Sequence, residues 1–291
     1  LLNNVEMPRS SGYTTALRNI GSIRNSGFEL QLDGRIIDRA VKWDLGVNFS
    51  LNRSKVLVLS EDKDIFGGEL DNTILKDQLN LMRVGEPMYV FYGYVEDGYD
   101  ENGHIVYKNM DDDPAITAAD KTIIGDPNPD FLVNLTTAVS YKGFTLSAFF
   151  QSSIGNDIYS LSMAAQAYDY GYNGNTLREV YYNHWTPENP TAKYPNLDQT
   201  SYKMSDRFVY DGSFVRLKNL ELAYDVPCAR NKFIKRARVY VSAQNLFTIT
   251  SYPFWDPDIN ANGGGSSMIQ GVDSYCYPSA RTYTIGCRLT F

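Results

Sequence analysis

Apolar and polar residues alternate with period two along much of this chain. Val41, Trp43, Leu45, Val47, Phe49 and Leu51 are separated by Lys42, Asp44, Gly46, Asn48, Ser50 and Asn52. Side chains on a strand point alternately to opposite faces, so this run predicts a strand with one apolar and one polar side. Eleven residues at about 3.3 Å each span roughly 36 Å, and a 45° tilt reduces this to about 25 Å. That height matches the apolar band of a transmembrane barrel, and the run is about twice the usual soluble strand.

The pattern recurs. Phe28, Leu30, Leu32 and Ile36 alternate with Glu29, Gln31, Asp33 and Arg35. Phe131 to Tyr141 and Phe144 to Phe150 flank Lys142-Gly143, a tight-turn dipeptide, and so predict a hairpin. Leu220, Leu222 and Tyr224 precede a turn at Asp225-Val226-Pro227, while Val215 and Leu217 are out of phase with them, which predicts a bulge near Lys218-Asn219. Ala237 to Ala243 and Tyr283 to Phe291 complete about seven strong strands. Connections alternate between short turns and the long stretches 53–130, 153–213 and 248–280, as in outer-membrane barrels. A soluble sandwich also alternates, and the pattern alone leaves it open. Helical signal is confined to the long stretches, for example Ser160 to Tyr168.

Composition narrows the classes. The 291 residues include 34 acidic and 27 basic side chains, a formal charge of −7, which implies no basic surface for nucleic acid. No uncharged apolar run reaches the roughly 18 residues of a membrane helix. Tyrosine is unusually frequent at 22, with 14 Phe and 3 Trp, a bias shared by membrane girdles and carbohydrate-facing loops. Cys228, Cys276 and Cys287 are too few and scattered for a disulfide framework or a zinc site. The chain starts at Leu1 without Met or signal peptide and is read as a piece of something longer.

Catalytic motifs are missing: no GxSxG, HExxH, phosphate-loop GxxxxGK or CxxC occurs, and His104 and His184 lie in separate loops. The chain is therefore expected not to be an enzyme, and to require no cofactor. One constellation has ligand-like spacing. Asn109, Asp111, Asp113, Thr117 and Asp120 fall at positions 1, 3, 5, 9 and 12 of a calcium loop, with Pro114 where that loop wants Gly and Asp120 in place of the longer Glu. The competing reading is an acidic turn with solvated charge. Aromatic loop residues are the binding candidates: Tyr168, Tyr170 and Tyr172, then Trp185 and Trp255, whose rings can stack on sugar faces. Packing of loop on loop explains most such rings equally well. Cys287 shares the apolar phase of Ile285 and Leu289, Cys228 falls in a short-turn region, and Arg216 and Arg288 belong to the polar face or a bulge.

Asp211-Gly212-Ser213-Phe214-Val215-Arg216-Leu217-Lys218-Asn219-Leu220, running into Ala223-Tyr224-Asp225-Val226-Pro227, resembles a segment of the SusC/RagA family of TonB-linked outer-membrane transporters of the Bacteroidetes. Collinear matches include Gly27-Phe28-Glu29-Leu30, Gly125-Asp126-Pro127-Asn128-Pro129-Asp130-Phe131, Trp185-Thr186-Pro187-Glu188-Asn189, Val239 to Phe247, Asp256-Pro257-Asp258 and Tyr277-Pro278. Such a resemblance implies an all-β fold, with residues 1–291 forming the C-terminal portion of a plugged transmembrane antiparallel barrel of about 22 strands. It implies import of glycan or peptide fragments across the bacterial outer membrane. The expected partners are the remaining N-terminal part of the transporter with its plug, TonB acting through that plug, a SusD-like surface lipoprotein, membrane lipid and the cargo. Arg216 and Arg288 would then ion-pair with the plug or meet an anionic substrate. A secreted β-sandwich adhesin or carbohydrate-binding module, and a siderophore-type receptor barrel, are the alternatives.

Overall fold

The computed structural model describes the chain except residues 1, 7, 9, 11, 20, 61–62, 72–74, 169–174, 229–232 and 260–268. Its frame is one seven-stranded antiparallel sheet: β1 (Gly21–Asp38), β2 (Val41–Leu59), β3 (Phe131–Tyr141), β4 (Phe144–Ile154), β5 (Phe214–Val226), β6 (Arg236–Thr250) and β7 (Thr282–Thr290). Every strand lies beside its neighbour in sequence, so the sheet is an uninterrupted meander whose outer edges are β1 and β7.

Strand register accounts for the alternation. Leu32, Val47, Leu135 and Phe150 lie on one cross-strand row, and Gln31, Asn48, Asn134, Gln151, Arg216 and Thr248 lie on the next. One face is thus apolar from β1 to β7 and the other polar. The apolar face is bare. Leu32 is 58% exposed, Val241 52% and Ile285 85%. A sandwich would cover such a face with a second sheet about 10 Å away, and none does so among the described residues. The bare face is what a barrel wall presents and what a sandwich would cover.

Local signals hold at the turns. Lys142 and Gly143 both adopt positive φ, 47° and 84°, the left-handed geometry that lets a two-residue hairpin follow the twist of its strands. Pairing shifts between Leu217 and Asn219 on both sides of β5, which puts the bulge at Lys218 as the phase change requires. The longest departure is in β2, which continues eight residues beyond the apolar run to Leu59. There it pairs with Gly21 to Ser26, and Val56 and Leu59 turn into a small core with Met82. Alternation with an apolar face stops where that face stops, although the ladder continues.

Residues between the wall strands build a crown above one end of the sheet. Ile65–Phe66, Asn80–Met82, Val90–Gly93 and Thr122–Gly125 make a four-stranded sheet. Asp157–Ser160 pairs with both Val209–Asp211 and Val272–Asp273. A helix, α1 (Leu161–Tyr168), confirms the helical signal there. The principal hydrophobic core lies here rather than in the wall, and joins Leu79, Phe91, Tyr159, Ala164, Phe208 and Val272 from all three long connections. Stretches that look like loops in sequence are therefore parts of one packed body.

Candidate functional site

Two surfaces can act on another molecule: the polar face of the wall and the crown above it. Alternation puts Glu29, Asp33, Arg35, Asp44, Glu221, Asp225, Arg238 and Arg288 on the polar face. Arg35 pairs with Asp44 at 2.8 Å, and Arg238 with Asp225 at 3.3 Å and Glu221 at 3.6 Å. Arg288 lies directly opposite Arg238. Four carboxamides, Gln31, Asn48, Asn134 and Gln151, follow one another across β1 to β4. Such a surface is wettable and offers both donors and acceptors.

Arg216 ends that row, and it is the residue that the sequence placed on the right face but with the wrong partner. It is 1% exposed, and its guanidinium binds Asp256, Asp258 at 3.4 Å, Ser279 Oγ at 3.1 Å and Thr248 Oγ1 at 2.9 Å. Its charge is spent inside this chain, not on a plug, because the bulge at Lys218 sets it beneath the Asp256-Pro257-Asp258 turn. Asp256 also accepts the Ser279 amide at 2.9 Å, which ties the two ends of the last long connection together. Arg207 and Glu96 form a second enclosed pair in the crown, joined by Ser205 Oγ to Glu96 at 2.6 Å and by Tyr99. Burial opposes charge on Arg207, but the bond to Glu96 overcomes it and raises its pKa. Neither pair is visible as a local motif, since the partners lie 40 and 111 residues apart.

The predicted aromatic site residues separate. Tyr168 is buried, stacked on Tyr202 with ring centroids 3.7 Å apart and edge-on to Phe208, so it serves as core. Tyr170 and Tyr172 lie outside the described residues. Trp185 is half-buried, and its indole covers Gly103, where a Cβ would enter the ring. Gly103 also has φ +78°, so Gly103→Ala is expected to displace Trp185, to cost about 1–3 kcal/mol and to red-shift tryptophan emission. An unchanged emission spectrum would sink that assignment. Trp255 is 57% exposed and stacked on Phe254 at 4.7 Å, which leaves an outward-facing aromatic platform. Tyr181 and Tyr182 are exposed on the short helix Arg178–Tyr182, their rings edge-to-face with centroids 5.2 Å apart.

The proposed calcium ligands are turned to their own backbone. Asn109 Oδ1 accepts the Asp111 amide, Asp111 that of Asp113, Asp113 that of Ala115, and Thr117 that of Ala119. Asp120 accepts Met110 and Thr117 amides at 2.7 Å each. Alternate-residue spacing thus yields successive Asx turns closed by a capping box at Thr117. Among the described residues no group of three or more His, Cys, Asp or Glu is placed to hold a metal ion.

These bonds give the crown a pH dependence. Amide donors from Met110 and Thr117 hold the Asp120 carboxyl below the usual carboxylate range. At Asp256 burial acts the other way, but the Ser279 and Asp258 amides and Arg216 outweigh it, and the net shift is downward. A carboxyl depressed by folding contributes stability above its unfolded pKa, near 3.9, and loses it as pH falls through the folded value. Protection factors in residues 108–121 and 251–259, corrected for the intrinsic pH dependence of amide exchange, are therefore expected to be steady between about pH 5 and 8 and to fall below about pH 4. Loss of protection already at about pH 6 would contradict it.

No family model matches the chain. The TonB-dependent receptor P3 of Formosa agariphila is 32% identical over 98% of this chain and 30% of its own length. The TonB-dependent receptor SusC of Bacteroides thetaiotaomicron is 28% identical over 100% of this chain and 29% of its own length. The RagAB peptide importer in its closed-closed state superposes with a TM-score of 0.80 at 27% identity, over 100% of this chain and 32% of that one. The chain thus spans less than a third of the length of the curated relatives it matches.

Proposed function

We propose, from the premise that this chain is a SusC/RagA-like segment of a TonB-dependent transporter barrel, that it supplies wall and mouth to an outer-membrane importer. The observation that carries this is the bare apolar face on one side of an unclosed seven-strand meander, backed by a polar face and topped by a packed crown. In lipid, only a closed barrel satisfies every backbone group, so the free edges of β1 and β7 need further strands from the same transporter. We assign the chain to the C-terminal portion of that barrel. Its polar face then lines the lumen against the plug on which TonB acts, and the crown faces outward beneath a SusD-like lipoprotein.

The cargo in this reading is a glycan or peptide fragment. The solved relative is a peptide importer, while the Trp255 platform and the carboxamide row suit sugar hydroxyls as well as peptide groups. No covalent chemistry is assigned to the chain, and its relatives are receptors and transporters rather than enzymes. Calcium at the Asn109 to Asp120 turn is a secondary proposal. It predicts a higher unfolding temperature in millimolar calcium, and an unchanged one leaves the Asx turns alone responsible for the loop. A secreted sandwich or carbohydrate-binding module would leave the apolar face in water, which disfavours it. A siderophore-type receptor is disfavoured by similarity to SusC and RagAB along 100% of this chain.

Purification from outer membranes in mild detergent, with mass spectrometry of co-eluting proteins, tests the assembly. A plug-bearing transporter and a surface lipoprotein are expected; a soluble, monodisperse chain alone would overturn the reading. Orientation has its own test. Tyr182 is 69% exposed in the crown, so Tyr182→Cys, with the three native cysteines replaced by serine, should react with an impermeant thiol reagent on intact cells. Reaction only after lysis would invert the topology.

A further inference from the structure

We propose that the apolar face carries a seat for one phosphate-bearing glycerophospholipid at the short-turn end of β4 to β7. The inference rests on the membrane reading above and goes beyond a uniform lipid coat. A groove of about 500 Å³ crosses this part of the face, bounded by Phe144, Leu222, Tyr224, Val239, Val241 and Ile285. Its lining is predominantly apolar, so in a bilayer it holds hydrocarbon rather than water. Phe144 and Tyr224, with ring centroids 4.5 Å apart, close its lower end.

Two cations stand just beyond that end. Lys142 occupies the left-handed position of the β3–β4 turn, its ammonium 5.1 Å from the centre of the Tyr141 ring. Lys235 is exposed immediately before β6, tethered by its amide to the Thr290 carbonyl at 2.7 Å. They sit at the starts of strands two places apart in the sheet, about 10 Å laterally, with Lys235 about two residues further out, a gap that their long side chains can reach across from both sides. Among the described residues neither lysine has a carboxylate at ion-pair distance. The acids at this rim, Asp38 and Asp225, are paired with Arg35 and Arg238. An acyl chain in the groove with its phosphate at the lysines satisfies both halves of the seat, the apolar one by burial and the charged one by complementarity.

The test uses the full-length transporter carrying this segment, in nanodiscs of equal parts phosphatidylglycerol and phosphatidylcholine, followed by detergent extraction and native mass spectrometry. The variants are Lys142→Gln with Lys235→Gln, and Val241→Trp, which fills the groove while staying apolar. Each is expected to lower retained phosphatidylglycerol by about three-fold or more, and high salt should remove only the lysine-dependent part. A nanodisc doped with diacylglycerol separates the headgroup from the chains: the seat retains phosphatidylglycerol in preference. Equal retention of diacylglycerol, or wild-type retention in both variants, overturns the proposal while leaving the barrel intact. Failure of the wild-type protein to enter nanodiscs would remove the membrane reading itself, and the seat with it.

Discussion

Arg216→Met is expected to destabilise the crown by about 3–5 kcal/mol and to open residues 251–259 and 269–280 to protease, because it leaves a buried carboxylate without its counter-charge. Asp256 is only 7% exposed in its side chain, and its remaining donors would be the amides of Asp258 and Ser279. Lys218, 3.7 Å from Asp258, cannot replace the guanidinium, since it lacks the flat fork that reaches Asp256, Asp258 and Ser279 together. Adding Asp256→Asn to Arg216→Met should recover part of the loss, because two neutral groups cost less than one isolated charge. Limited proteolysis of the intact protein with sequencing of the fragments reads the outcome. Wild-type resistance in Arg216→Met would show that the turn is held by its backbone bonds alone.

A second large effect is expected from adjacent substitutions with opposite consequences. Leu135 sits mid-strand on the apolar face between Val47 and Phe150, whereas Thr136 points to the polar face beside Gly46. Leu135→Arg should cost about 2–4 kcal/mol in a bilayer, the penalty of a charge at the midplane of a barrel's lipid side. Thr136→Arg should be nearly neutral. It opens onto a recess of about 360 Å³ on the polar face, where Asp33 and Asp44 outnumber the resident Arg35 and the new guanidinium stays hydrated. Unfolding in denaturant from lipid vesicles, followed by the heat-dependent gel shift of folded barrels, separates the two. Equal losses would mean that the faces are not lipid and lumen.

The wall was legible because its physics is local: a one-residue change of phase moves every side chain to the other medium, so period two, the Lys142-Gly143 turn and the Lys218 bulge all follow from neighbouring residues. The extension of β2 to Leu59 was not, since Asn52 to Lys55 pair with β1 without an apolar face to mark them. The crown was least legible. Tyr168 is a binding candidate by composition and a core residue by contact, and the difference lies in Tyr202 and Phe208, distant in sequence. Arg216 sat within a recognisable segment, yet its role depends on a turn whose acidic residues belong to a different motif. Asx turns and calcium loops both put oxygen at alternate residues, so the spacing of Asn109 to Asp120 alone does not choose between them.

The meander and the crown also differ in when they can form. The strand pairs β1–β2, β3–β4 and β5–β6 each close over a short connection, whereas joining one pair to the next and adding β7 means closing the three long ones. The crown has no such order: the Asn80 side chain donates to the Gln270 carbonyl 190 residues away. Its contacts become available only once the β6 strand has been placed and the chain has returned past it. The three hairpins can therefore form before the crown, but the crown draws on all three long connections together, so a defect in any one of them is expected to loosen the whole of it.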